Sequence, residues 1–104
     1  MEKKDMIKEV RNLIDAHWNT IYTDEYFDKD KDVYATIYDT YVNFSFRNRK
    51  ELFLKPEKVK VFKKELKELL GNTKFDLKII RMKPKWLDYA VCQIYRIIVY
   101  TQGE

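Results

Sequence analysis

Met6, Ile7, Val10, Leu13, Ile14, His17, Trp18 and Ile21 recur at intervals of three and four, with Lys3, Lys4, Glu9, Arg11, Asn12 and Asp15 largely between them. That period gathers apolar side chains on one face and predicts an amphipathic helix over about residues 3–19. A second 3.6-residue stripe, Val59, Phe62, Leu66, Leu69 and Leu70, predicts a helix over 56–70. Pro56 opens it, because its fixed φ and missing N–H suit a first turn, and Gly71 stops it. At 100° per residue, Lys60, Lys63, Lys64 and Lys67 fall on one flank of this helix and Glu57, Glu65 and Glu68 on the other.

The remaining apolar runs are strand-like. Residues 33–46 are dense in β-branched and aromatic side chains without Gly or Pro, which predicts one long strand, bent near Asp39. Counted straight through, it places Tyr34, Tyr38, Val42, Phe44 and Phe46 on one face, and Val33, Ala35, Ile37 and Tyr41 on the other. Arg47-Asn48-Arg49-Lys50 reads as a polar turn and Glu51-Leu52-Phe53-Leu54 as a short antiparallel return. Phe75, Leu77 and Ile79 alternate with polar residues in a third strand. Residues 88–101 also fit a helical stripe through Leu87, Val91, Ile94 and Ile98, but their β-branched content favours a fourth strand. The expected fold is therefore α+β: a single domain over residues 1–104 in αββαββ order, with two helices packed on one face of a mainly antiparallel four-stranded sheet.

Composition narrows the functional classes. Cys92 is the only cysteine, so intrachain disulfides and four-cysteine zinc frameworks are excluded. The N-terminus is charged where a secretion signal has its apolar core, and no apolar run approaches the ~20 residues of a membrane helix, so a cytoplasmic location is expected. Asn43-Phe44-Ser45, a glycosylation sequon inside a strand, reads as chance. The net charge of +4 is segregated: residues 1–46 hold 6 basic and 10 acidic side chains, residues 47–104 hold 15 and 7, and residues 47–85 alone hold 14 and 5. Such a field steers an anionic partner to one side of a molecule.

Catalytic and metal patterns fail on inspection. Asp28, Asp30 and Asp32 have the alternating spacing of a calcium loop, but Val33 stands where Gly must turn the chain and Asp39 where a bidentate Glu belongs. One His and one mid-strand Cys build no nucleophilic set, so His17 reads as a packed or hydrogen-bonded core residue and Cys92 as a small buried one. No enzymatic activity, metal or cofactor is expected.

The 16 aromatic residues exceed what the core needs, and Trp86, beside Pro84 at a turn, is of the type that anchors interfaces. The expected function is a small non-enzymatic binding protein for a protein partner. It would act as adaptor or inhibitor, in the manner of a viral or mobile-element accessory protein that blocks a host factor. The expected interface joins Trp86, Arg81, Lys83 and Lys85 to the Lys60, Lys63, Lys64 and Lys67 flank, with Trp86→Ala weakening binding by more than about 10-fold. The alternative is nucleic-acid backbone binding through Arg47, Arg49, Lys50, Lys60, Lys63, Lys64 and Lys67. A third class, a small-ligand pocket behind the first helix, would use His17, Tyr34, Tyr38 or Asp39. Exposed sheet edges also permit a homodimer.

Overall fold

The computed structural model describes residues 2–18, 29–49, 55–82 and 92–101. Helix α1 (Lys3–Trp18) carries Met6, Val10, Ile14 and Trp18 at four-residue spacing, and all four are buried. A single turn, α2 (Lys29–Asp32), precedes strands β1 (Tyr34–Ile37) and β2 (Tyr41–Arg49). Helix α3 (Pro56–Leu70) buries Phe62, Leu66 and Leu70. Pro56 occupies its first turn, and the Gly71 N–H closes its last turn on Lys67 O at 3.0 Å. Strands β3 (Phe75–Met82) and β4 (Cys92–Tyr100) complete the chain order.

The four strands form one antiparallel sheet in the order β1-β2-β4-β3. The nine-residue pairing of β2 with β4, from Tyr41↔Tyr100 to Arg49↔Cys92, makes the centre, and β1 and β3 are the edges. The core lies between this sheet and the two long helices. Val42, Phe44 and Phe46 of β2 and Tyr95, Ile97 and Val99 of β4 meet the buried stripes of α1 and α3 there. Trp18 is its pivot, set edge-on against Phe46 at 4.8 Å, Phe62 at 4.9 Å and Tyr95 at 5.0 Å between ring centroids. Phe46 and Tyr95 stack face to face at 5.0 Å across the central strand pair, a geometry worth roughly 0.5–1.5 kcal/mol beyond buried area.

The α+β class, the antiparallel sheet and the helix pair agree with the sequence pattern, and residues 92–100 are strand. One expectation is overturned. The run 33–46 is not a single strand. It folds back through Tyr38, Asp39 and Thr40, where Tyr38 N–H reaches Tyr41 O at 2.9 Å and Thr101 N–H reaches Thr40 O at 2.9 Å. Arg47, Asn48 and Arg49, expected in the turn, are the end of β2. The reversal pairs Ala35 with Phe44 and Ile37 with Val42, so odd positions of β1 share a face with even positions of β2. Tyr34 is thereby separated from Val42, Phe44 and Phe46. The return strand expected at 51–54 lies outside the described residues.

Candidate functional site

Strand alternation sends half of every strand to the face opposite the helices. The register lays these residues out in rows. Tyr41 stands opposite Tyr100; Thr36, Asn43, Ile98 and Asp76 run across all four strands; Tyr34, Ser45, Arg96 and Lys78 form the next row; Arg47, Ile94 and Ile80 form the one after, followed by the register positions Arg49, Cys92 and Met82. Among the described residues no helix lies on this face, and every residue from the Tyr41 row to the Arg47 row is partly or fully exposed. Tyr34 is 65% and Tyr100 39% exposed, and Tyr38, 45% exposed at the turn, stacks on Tyr41 at 4.5 Å.

The face is cationic as well as aromatic. Among the described residues of its rows, Arg47, Arg96 and Lys78 stand against one carboxylate, Asp76, which accepts a 2.8 Å hydrogen bond from the Tyr100 hydroxyl. That bond and the negative charge of Asp76 raise the Tyr100 phenol above its ordinary value of 10.0. At the centre, Arg96 Nε and Asn43 Oδ1 are buried without a hydrogen-bond partner among the described residues. A buried polar atom left unpaired costs about 1–3 kcal/mol, so the middle of the face holds polar capacity that the described residues do not use. Of the outward residues, Tyr34 is a sequence candidate only for the pocket behind the first helix, and Tyr41, Ile80, Ile94, Arg96, Ile98 and Tyr100 are candidates for no site. The signal was present, since they alternate with the core positions of β1, β2, β3 and β4. Counting one strand through Asp39 concealed it by putting Tyr34 with the core.

The chain matches no family model, no curated protein and no solved structure. Its chemistry therefore rests on its own geometry.

The residues expected to form the interface are divided. Lys60, Lys63, Lys64 and Lys67 are all exposed on α3. Glu65, from the acidic flank of that helix, meets His17 of α1, so the lysine flank faces away from α1. Arg81 is exposed near the end of β3, opposite Gln93, on the helix side of the sheet by strand alternation. Arg47 points to the other face. Of the nucleic-acid set, Arg47 thus lies on the open side of the sheet and Lys60, Lys63, Lys64 and Lys67 on the helix layer of the other side. Arg49 closes β2 opposite Cys92. Lys50, Lys83, Lys85 and Trp86 lie outside the described residues, as do the side chains of Arg49 and Cys92.

His17 is 15% exposed, between the Trp18 and Phe62 rings, and contacts the Glu65 carboxylate. It joins the two helices. Tyr34 lies on the open face, and Tyr38 and Asp39 lie at the hairpin turn, so the residues considered for a pocket behind α1 are not brought together. Asp30 and Asp32 share the single turn α2, and Val33 is buried in the core beside it. Among the described residues no cluster of three metal-ligating side chains occurs, and no helix is long and apolar enough to cross a membrane.

Proposed function

We propose that this chain is a non-enzymatic binding protein that docks an acidic protein surface on the open face of its sheet, acting as an inhibitor or adaptor. The observation that carries this reading is the composition of that face. Protein interfaces are enriched in Tyr, Trp and Arg and depleted in Lys and Glu relative to the rest of a surface. The outward rows hold Tyr34, Tyr41, Tyr100, Arg47, Arg96 and three isoleucines, with one lysine and no glutamate. The exposed flank of α3 has the opposite character, four lysines that stay hydrated at little cost. From strand spacing and rise, the face covers on the order of 500 Å², more than half of the roughly 800 Å² per partner in a standard interface. Arg47, Arg96 and Lys78 supply the charge that selects and steers a carboxylate-bearing partner.

Recovery of a protein from lysate at physiological salt, repeated with variants, tests this reading. Arg96→Glu and Ile98→Asp, each folded by circular dichroism, should weaken capture of the recovered protein more than about 10-fold, or ~1.4 kcal/mol. Reversal of Lys60, Lys63, Lys64 and Lys67 together should leave it within about 3-fold. The reading fails if the folded face variants retain the partner, or if the lysine reversal removes it.

A second reading, contact with a nucleic-acid backbone, is supported by the exposure of all four lysines on one flank of α3. It predicts affinity for duplex and single strand alike that falls steeply with salt and vanishes on reversing those lysines. Salt-independent or absent binding removes it.

A further inference from the structure

On the helix side of the molecule, Lys3, Ile7 and Arg11 form one stripe of α1 at four-residue spacing, and Lys4, Lys8 and Asn12 form the adjoining stripe. Both stripes line a groove of about 540 Å³, closed on its other sides by Ile37 of β1 and Asp30 of α2. The size falls within the roughly 300–1,000 Å³ of small-molecule sites.

The groove is built against β1. Arg11 donates from Nη2 to Val33 O at 3.1 Å, and Lys3 Nζ reaches Tyr38 O at 3.5 Å. These two carbonyls flank β1, so the two contacts hold α1 along the strand and fix a cation at each end of the groove. Among the described residues, four cations (Lys3, Lys4, Lys8 and Arg11) and one carboxylate (Asp30) line the space. Lys4 and Lys8 stand at i and i+4, where like charges repel, and Lys4 lies with Asp5 in the first turn, where the helix dipole is itself positive. Neither lysine is in an ion pair among the described residues. Folding has thus gathered cations whose mutual repulsion an anion relieves. The floor between them is apolar, made by Ile7 and Ile37.

We propose that this groove binds a phosphate ester of about mononucleotide size. The phosphate sits among Lys4, Lys8 and Arg11, and the organic body lies on Ile7 and Ile37. Asn12, on the same wall, is placed to exchange hydrogen bonds with hydroxyl or amino groups of that body, which favours a sugar or base over a plain alkyl chain. The site is separate from the open sheet face, so the proposal stands or falls independently of the docking reading.

Titrating ¹⁵N-labelled protein at constant ionic strength with ADP, inorganic phosphate and adenosine tests it. ADP should give saturable shifts confined to residues 3–12 and 30–38, with a Kd of ~1 mM or tighter. Inorganic phosphate should bind the same residues more weakly, and adenosine should not saturate. Lys4→Gln with Lys8→Gln should weaken ADP by at least about 10-fold, whereas Lys60→Gln with Lys64→Gln should leave it unchanged. The proposal is overturned by the absence of saturation with ADP, by shifts centred on residues 60–67, or by equal affinity in the Lys4/Lys8 variant whose spectrum is otherwise native.

Discussion

Trp18 offers a sharp test of how the two layers are held together. It is fully buried and meets Phe46, Phe62 and Tyr95 edge-on, so it bonds α1 to both α3 and the central strands. Its indole Nε1 is nevertheless buried with no hydrogen-bond partner among the described residues. Two substitutions separate these terms. Trp18→Ala removes the whole ring system and leaves a cavity between elements that cannot all close on it, a loss of roughly 3–5 kcal/mol. Trp18→Phe keeps a ring in contact with the same three neighbours. It forfeits about three heavy atoms of packing, on the order of 1–3 kcal/mol, and it removes an unpaired N–H whose burial costs about 1–3 kcal/mol. The two terms oppose each other and the net change should lie within about 1 kcal/mol.

Equilibrium unfolding in urea, with m unchanged between variants, reads the difference directly. A domain of this size has roughly 5–15 kcal/mol in total, so Trp18→Ala should lose a large part of its stability while Trp18→Phe stays near wild type. A Trp18→Phe protein destabilised by more than about 3 kcal/mol would refute the reasoning. It would mean that the indole N–H is satisfied, or that the edge-on packing tolerates no smaller ring.

Two further outcomes follow from particular atoms. The folded state raises the Tyr100 phenol through its hydrogen bond to Asp76, so it binds that proton more tightly than the unfolded chain does. The stabilisation is fully present below pH ~10 and is lost as pH rises through the folded value; Tyr100→Phe should flatten this alkaline limb in pH-dependent unfolding, and an unchanged limb would assign it elsewhere. Gly71 sits at φ 58°, ψ −118° with open space where a Cβ would go. Gly71→Ala should therefore cost about 1–3 kcal/mol through backbone strain alone, and Gly71→Asn should not recover it, because this ψ is far from the left-handed helical region Asn tolerates; thermal unfolding of the pair checks both.

The helices were legible in the sequence because each carries its own boundary chemistry. Pro56 and Gly71 bracket α3, and the four-residue spacing of Met6, Val10, Ile14 and Trp18 marks the buried stripe of α1. The β1–β2 turn was not legible, because Tyr38-Asp39-Thr40 lacks the Gly or Asn that usually announces a hairpin. Tyr38 N–H closes it on Tyr41 O, and Thr101 N–H adds a bond to Thr40 O, a contact from β4 that no local pattern reveals. That single omission reversed the facing of Tyr34 relative to β2, and with it the site. Arg96 is hidden for a related reason: in the sequence it is a lone charge between Tyr95 and Ile97, and only the register makes it part of a row whose other members come from β1, β2 and β3.

The two faces of the sheet also explain why the strongest charge run in the sequence is a weak guide to the site. Lys60, Lys63, Lys64 and Lys67 lie on a helix whose other side supplies Phe62, Leu66 and Leu70 to the core. An amphipathic helix over a sheet needs a hydrated back whatever the protein binds, and lysine meets that need. The strands face a different requirement. With one side committed to the helices, the outward side of a central strand pair could be filled with Thr, Ser, Lys and Glu at no cost to the core. It carries instead Tyr41 beside Tyr100, and Ile94 and Ile98 on either side of Arg96. Large apolar side chains on a sheet face that none of the described elements covers are the feature that folding of those elements alone does not demand, so this face, and not the lysine flank, is where a partner is expected.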